Sequence, residues 1–206
     1  MFMPDRGREA GPGRPAAFLD RDGILNEAVP DPDSGLPESP LRVDDVRLLA
    51  GAAAAAAKLA EEGYALVCVS NQPAAAKGKV EVEELLRIHE RVVELLEEQG
   101  VHVEASLLCL HHPDGVVGEL SGACLCRKPA PGMLLDAAAA LELDLASSWM
   151  LGDTDSDVAA GDAAGCRTVL IEYPPSAHKR SEVSSQELLA ADVGDAAAQL
   201  LNQRKL

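Results

Sequence analysis

The sequence predicts an α/β fold, a Rossmann-like parallel sheet with helices on both faces. Short apolar runs alternate along the chain with longer helical stretches, the pattern of a parallel sheet covered on both sides. The apolar runs stop at polar or charged turns, where such sheets place their ligands. Hydrophobic residues make up 47% of the chain but aromatics only 2%, so the core must be built from Ala, Leu and Val, which suits close packing of helices on a sheet.

The run from Ala16 to Asp20 is apolar and closed by a charged turn, a first strand. Residues Asn26 to Pro40 carry Pro30, Pro32, Gly35, Pro37 and Pro40, too many breakers for regular structure, and form a loop that could border a pocket. Leu48 to Glu62 is mostly alanine and stops at Gly63, as a helix does. Tyr64 to Val69 is a second strand, followed by a loop over Ser70 to Lys79. Glu81 to Gln99 places Val82, Leu85, His89, Val92 and Leu96 on one helical face and ends at Gly100. Val103 to Leu108 is a third strand, and Cys109 to Cys126 follows without periodicity. Pro131 opens a helix reaching about Leu143. Ser148 to Leu151 is a fourth strand, Asp155 to Ala164 a helix and Arg167 to Ile171 a fifth strand. Short helical patterns at Gln186–Ala190 and Ala196–Leu201 suggest further cover for the sheet.

A length of 206 residues supports one substantial core, so residues 16–206 are expected to form a single domain with a loop element at 109–126. Residues 1–15, polar and rich in Gly, Pro and Arg, read as a disordered tail. The net charge of -16 repels a polyphosphate backbone, which argues against a nucleic-acid partner. No apolar stretch approaches the roughly 20 residues that cross a bilayer, so no membrane partner is expected. Five cysteines without a secretory leader point to a reducing cytoplasm, where clustered thiols bind metal more often than they pair. A cytoplasmic monomer acting on a small molecule is the expectation.

The chemistry gathers at four predicted strand ends. Asp20-Arg21-Asp22-Gly23 brings two carboxylates into one tight turn, an arrangement open to a solvated turn, a metal site or acid–base work. Ser70-Asn71 offers a hydroxyl and an amide suited to phosphate oxygens. Arg127-Lys128-Pro129 supplies cations, and Gly152-Asp153-Thr154-Asp155-Ser156-Asp157 supplies acidic metal ligands. Separately, Cys109-x-His111 and Cys124-x-Cys126 form two close ligand pairs suited to a closed, structural tetrahedral Zn²⁺ site; a disulfide or idle thiols are the alternatives, and spacing does not choose between His111 and His112. Cys68 and Cys166 read as buried inert thiols, His89 as a packed histidine and Trp149 as core.

Together the four strand ends resemble the motifs of the haloacid dehalogenase superfamily of phosphatases. More narrowly, Phe18-Leu-Asp-Arg-Asp-Gly-Ile-Leu-Asn26, Ser70-Asn-Gln72, Cys109-Leu-His111, Cys124-Leu-Cys-Arg-Lys-Pro-Ala-Pro-Gly-Met133 and Gly152-Asp153 resemble the zinc-containing heptose bisphosphate and histidinol phosphate phosphatases. The resemblance implies Asp20 as nucleophile and Asp22 as acid/base. It implies Mg²⁺ on Asp20, the backbone carbonyl of Asp22 and Asp153. Ser70, Asn71 and Lys128 would hold the transferring phosphoryl group, and Arg127 would meet the rest of the substrate. It favours His111 over its neighbour as zinc ligand. Asp157 would support Lys128 or the metal shell, or else lie on a helix surface.

The implied substrate is D-glycero-D-manno-heptose 1,7-bisphosphate losing its 7-phosphate. Histidinol phosphate is the alternative within this chemistry, a catalytically silent interaction module is the rival outside it, and a polynucleotide 3′-phosphatase conflicts with the charge. The chain departs from the family pattern at Pro73-Ala-Ala-Ala-Lys77-Gly78, where relatives commonly carry a serine-glycine pair. Lys77 and Lys79 in that loop could meet a second phosphate or simply be solvated.

Overall fold

The computed structural model describes residues 2–4, 13–181 and 185–203. In chain order the elements are β1 (Phe2–Pro4), β2 (Ala16–Leu19), β3 (Val29–Pro30), β4 (Pro37–Glu38), α1 (Ala52–Glu61), β5 (Ala65–Asn71), α2 (Val82–Glu97), β6 (Ala105–Cys109), α3 (Gly132–Leu141), β7 (Trp149–Gly152), α4 (Asp155–Ala164), β8 (Arg167–Ile171), β9 (Leu188–Ala190) and α5 (Val193–Gln203). The main sheet runs in the order β1-β6-β5-β2-β7-β8-β9. All neighbouring pairs are parallel except β1 on β6, so β2, the strand that leads to Asp20, lies near the middle.

Alternation along β2 assigns the faces. Ala17 and Leu19 pack with α1, α2 and α5 on one side, whereas Ala16 and Phe18 pack with α3 and α4 on the other. Small residues let the helices lie close. A Cβ added at Gly161 of α4 would sit 2.6 Å from Thr168 Cγ2 and 2.8 Å from Met150 Cβ, so the helix backbone rests almost directly on β7 and β8. Trp149 is core, with the Arg167 guanidinium 3.9 Å over its ring.

Several elements differ from the sequence expectation. The Asn26–Pro40 segment, expected to lack regular structure, carries the short antiparallel pair β3–β4, with Val29 opposite Glu38. The helix expected from Leu48 begins at Ala52, because Leu49 N–H donates to Leu25 O at 2.9 Å and Gly51 takes a left-handed conformation at φ 82°. The helical pattern at Gln186–Ala190 is instead β9: a single possible turn cannot repay helix nucleation, while the open edge of β8 supplies backbone partners, Val169 opposite Leu188 and Ile171 opposite Ala190. Within the expected disordered tail, Phe2–Pro4 adds an antiparallel strand to the exposed edge of β6, with Phe2 opposite Leu107. The tail's residues 1 and 5–12 lie outside the described residues.

Gly161→Val would push a branched side chain into β7 and β8. The expected cost is about 2–3 kcal/mol, read as a lower urea midpoint at unchanged slope. A midpoint equal to that of the unaltered protein would show that α4 is not seated this closely.

Candidate active site

The carboxyl ends of β2, β5 and β7 and the turn before α3 converge on one cleft of about 310 Å³. Asp20 is the first residue beyond β2, tied by its N–H to Leu151 O at 3.0 Å. Its Oδ1 accepts from Arg21 N at 2.7 Å and meets Lys128 Nζ at 2.9 Å, which fixes the carboxylate's orientation. The Lys128 ammonium is buried, donates to Val69 O at 2.7 Å and forms ion pairs with Asp20 and with Asp157 Oδ1 at 2.5 Å. Asp157 therefore serves Lys128 and is no surface residue. Its Oδ2 also accepts from Thr154 N at 3.1 Å and Thr154 Oγ1 at 2.6 Å, closing the N-terminus of α4 as a capping box. A Cβ on Gly152 would lie 2.2 Å from Asp157 Cβ, so only glycine fits there.

Asp153 completes the cluster. Carboxylate oxygens of Asp20, Asp153 and Asp157 lie within 4.8 Å of one another, and Asp153 Oδ1 is buried with no hydrogen-bond partner. Three acids face one ammonium. Burial and the neighbouring carboxylates push Asp153 up to about 8, and burial with Asp157 and Asp22 carries Asp20 to about 6 in spite of Lys128. Against burial, Asp157 and Asp20 hold Lys128 above the usual lysine range. An excess of hard oxygen donors with one left unpartnered is a setting that a small divalent cation fits. The Asp20 and Asp153 loops also touch: a Cβ on Gly23, at φ +85°, would fall 2.4 Å from Asp153 Oδ2.

Asp22 lies in a different environment. Its carboxylate accepts from Asn26 Nδ2 at 2.9 Å, Gln72 Nε2 at 2.6 Å and Ser39 Oγ at 2.8 Å, and pairs with the fully buried Arg21 at 3.1 Å. Burial opposes ionisation here, but Arg21 and these donors hold Asp22 below the usual carboxylate range. Gln72 is the hub: its Oε1 accepts from Arg21 Nη2 at 2.8 Å, and its Nε2 also donates to Ser70 Oγ at 3.0 Å. That bond occupies a Ser70 lone pair and leaves the hydroxyl proton to donate elsewhere.

The residues expected from sequence at the phosphoryl site come together, and one of them has a further contact. Asn71 lines the cleft, but its amide clasps the Lys128 backbone, with Nδ2 to Lys128 O at 2.9 Å and Lys128 N to Oδ1 at 3.0 Å. Arg127 lines the cleft and donates to His111 O at 3.3 Å. Ser39, Tyr173 and Ser176 were not legible in sequence. Ser39 lies in the proline-rich loop, and the other two follow β8; only the fold brings them to the cleft. Tyr173 OH accepts from Ala28 N at 3.0 Å, and Ser176 Oγ donates to Asp153 O at 3.3 Å. Lys79 pairs with Asp31, and Lys179 with Glu38 at 2.9 Å, across the mouth.

Beside the cleft, Cys109, His111, Cys124 and Cys126 form one cluster. Sulfur–sulfur separations are 3.3–3.6 Å, and His111 Nδ1 lies 3.5 Å from Cys126 Sγ and 3.9 Å from Cys109 Sγ. All five cysteines are free. A tetrahedral Zn²⁺ needs sulfur–sulfur edges of about 3.8 Å and sulfur–nitrogen edges of about 3.6 Å, so the donors fit. His112 is otherwise occupied, its Nδ1 accepting from Asp114 N at 3.1 Å. His89 is packed, as expected; burial, aided by the Arg21 cation, holds its imidazole down to about 3. Cys68 and Cys166 are buried, with their thiols raised chiefly by burial.

The HAD-hydrolase-like family matches residues 125–196. A D-glycero-beta-D-manno-heptose-1,7-bisphosphate 7-phosphatase of Yersinia pestis is 40% identical over 157 residues, 76% of this chain and 79% of that protein. A D-glycero-alpha-D-manno-heptose-1,7-bisphosphate 7-phosphatase of Photorhabdus laumondii is 32% identical over 175 residues, 84% of this chain and 91% of the relative. Among solved structures, the D,D-heptose 1,7-bisphosphate phosphatase from B. bronchiseptica complexed with magnesium and phosphate superposes with a TM-score of 0.76 at 29% identity, covering 91% of this chain and 99% of that one.

Metal analysis of the purified protein is expected to return one zinc ion per chain, and replacement by Co²⁺ to give thiolate charge-transfer absorption that Cys126→Ala weakens. Zinc content near zero, with no loss of thermal stability in chelator, would remove the tetrahedral site.

Proposed function

This chain belongs to the heptose bisphosphate phosphatases of the HAD-like hydrolases, and on that premise we propose that it removes the 7-phosphate of D-glycero-D-manno-heptose 1,7-bisphosphate through a phosphoaspartyl intermediate on Asp20. The observation that carries the reading is the buried ion cluster: Asp20 held by Lys128, beside Asp153 with an unpartnered carboxylate oxygen. A silent module would have no physical need of an acidic cluster that raises the pKa values of its own members.

In the first displacement, an Asp20 carboxylate oxygen attacks phosphorus while Asp22, having taken up a proton from solvent as the phosphate dianion binds, gives it to the departing sugar oxygen. In the second, water attacks the phosphoaspartyl phosphorus as Asp22 takes a proton from it. Asp20 leaves as carboxylate, and inorganic phosphate departs. Lys128 and the Ser70 hydroxyl neutralise and orient the phosphoryl oxygens, with Gln72 directing that hydroxyl. Asn71 fixes the Lys128 backbone and keeps a second amide N–H for the phosphoryl oxygens. Mg²⁺ held by Asp20, the Asp22 carbonyl and Asp153 would offset repulsion between the carboxylates and the phosphate dianion. Arg127, at the cleft wall, would meet the remainder of the sugar.

Phosphate release should be measured with Mg²⁺ on both anomers of the heptose bisphosphate and on histidinol phosphate. A heptose bisphosphate is expected to lead in kcat/KM; faster turnover of histidinol phosphate would overturn the assigned substrate. Asp20→Asn is expected to lower kcat by about 1,000-fold or more, and full activity in protein free of other phosphatases would overturn the assigned nucleophile. Gln72→Leu, which frees both Asp22 and Ser70 from their shared donor, is expected to lower kcat about 10- to 100-fold with a smaller change in KM; an unchanged kcat would show that Gln72 does not position them.

A further inference from the structure

Side-chain hydroxyls of Ser39, Ser70, Thr154, Ser156, Tyr173 and Ser176 border the cleft, and the destination of each proton sorts them. Ser39 donates to Asp22 Oδ2 at 2.8 Å, Thr154 to Asp157 Oδ2 at 2.6 Å and Ser176 to Tyr173 O at 3.0 Å. Because the Thr154 proton goes to Asp157, Ser156 is the donor in its 2.9 Å contact with Thr154 Oγ1. Ser70 accepts from Gln72 and serves the phosphoryl group on the proposed mechanism. Tyr173 is different. Its oxygen accepts from Ala28 N at 3.0 Å, and among the described residues its own proton has no acceptor.

The ring that carries this proton is held in place at both ends. Tyr173 O accepts from Ser176 N at 3.1 Å, Ser176 Oγ at 3.0 Å and Arg180 Nη2 at 3.0 Å. The ring itself lies against the catalytic turn: a Cβ on Gly23 would come 2.8 Å from Tyr173 Cδ1 as well as 2.4 Å from Asp153 Oδ2. A side chain fixed in this way loses little freedom on meeting a ligand. Tyr173 follows β8, Ser70 belongs to β5, and the sheet order β5-β2-β7-β8 sets Asp20 between them. The phenol thus stands on the opposite side of Asp20 from the Ser70 hydroxyl, with its oxygen at the base of the proline-rich loop. A phenol keeps its proton throughout the neutral range, and as an uncharged donor it suits an uncharged oxygen of the leaving alcohol, whereas the phosphoryl oxygens already have Lys128.

We propose that Tyr173 is a specificity-determining residue whose hydroxyl donates to a substrate hydroxyl on the carbon next to the cleaved ester, so that the site selects phosphorylated polyols over phosphate esters of simple alcohols. This deepens the phosphatase reading given above: it rests on that reading for the reaction, and on no particular sugar. An ester with hydrogen at that carbon leaves the Tyr173 proton without an acceptor in a closed site, which is how a polar pocket rejects the analogue that lacks a hydroxyl. The Ala28 N–H on the same phenol oxygen holds the donor in line, so the proline-rich loop and the ring set its direction together.

The test compares phosphate release with Mg²⁺ by the unaltered protein and by Tyr173→Phe, which keeps the ring and removes the hydroxyl. Two pairs of esters are used: heptose 1,7-bisphosphate against its 6-deoxy analogue, and glycerol 3-phosphate against propyl phosphate. The unaltered protein is expected to favour the hydroxyl-bearing member of a pair in kcat/KM, and Tyr173→Phe to lower that preference about 10-fold. A preference absent from the unaltered protein, or left as it was by Tyr173→Phe, would overturn the assignment whatever happens to the absolute rates, because a loss shared by both members reflects only the lost partner of Ala28 N–H. If the glycerol pair shows the shift and the heptose bisphosphate is not turned over, Tyr173 stands and the proposed sugar falls. Phosphate release from none of the four would overturn the phosphatase reading and this inference with it. Tyr173→Phe keeps the packing on Gly23, so the variant is expected to fold, and an unchanged melting temperature checks that.

Discussion

One buried ammonium holds this site together. Lys128 comes from a loop outside the sheet, yet its Nζ reaches the oxygens of Asp20, Asp157 and Val69, joining the ends of β2 and β5 to the first turn of α4. A buried ion pair is a poor source of net stability, because desolvation offsets its Coulomb energy, but removing one partner leaves a bare charge in the interior at about 3–5 kcal/mol. The arrangement is thus valuable for its geometry: three elements cannot drift apart without exposing or orphaning a charge. Asn71 extends the constraint by clasping the Lys128 backbone, and Asp157 extends it the other way by capping α4.

That constraint also explains which parts of the site were legible in the sequence. Asp20, Asp22, Ser70, Lys128 and Asp153 each follow an apolar run or a turn signal, so local pattern alone puts them near strand ends. Asp157 read equally well as helix surface, because its partner Lys128 is far away in sequence and no local period records the pairing. Asn71 reads in the sequence as a phosphate ligand, and its clasp on the Lys128 backbone was not legible there, because an amide beside a serine says nothing about which further groups it will find. Ser39 lay in a segment described only by its breakers, and it reaches Asp22 because β3 and β4 pair and turn that loop over the cleft.

The fold follows the same division. The central strands and α4 are close to their expected limits, since a buried parallel strand is a continuous apolar run. The two edge strands were missed because three-residue pairings depend on a neighbour's open hydrogen bonds rather than on any period of their own. The cysteine cluster is intermediate. Its two pairs are local and legible, whereas the choice of His111 over His112 depends on which ring the loop turns inward. His112 is spoken for by the Asp114 N–H, and His111 faces the sulfurs.

Two aspartates in one turn end with opposite tendencies, and that separation lets a single residue type do two jobs. Asp20 is surrounded by burial and other carboxylates, with Lys128 the chief opposition, and rises to about 6. Asp22 is also largely withdrawn from water but faces Arg21, Asn26, Gln72 and Ser39, and falls. At rest, therefore, Asp22 holds its charge more firmly than Asp20, which on the proposed mechanism would suit it to take a proton from water in the second displacement. To act as acid in the first it must gain a proton, and the arriving phosphate dianion supplies the reason, since negative charge beside a carboxylate favours its protonated form. The same dianion would draw on the positive charge of Lys128, leaving less of it for Asp20, and a cation held beside Asp153 would help keep Asp20 ionised for the proposed attack. On the proposed mechanism substrate binding would arm the acid, and a cation held by Asp20 and Asp153 would help keep the nucleophile charged.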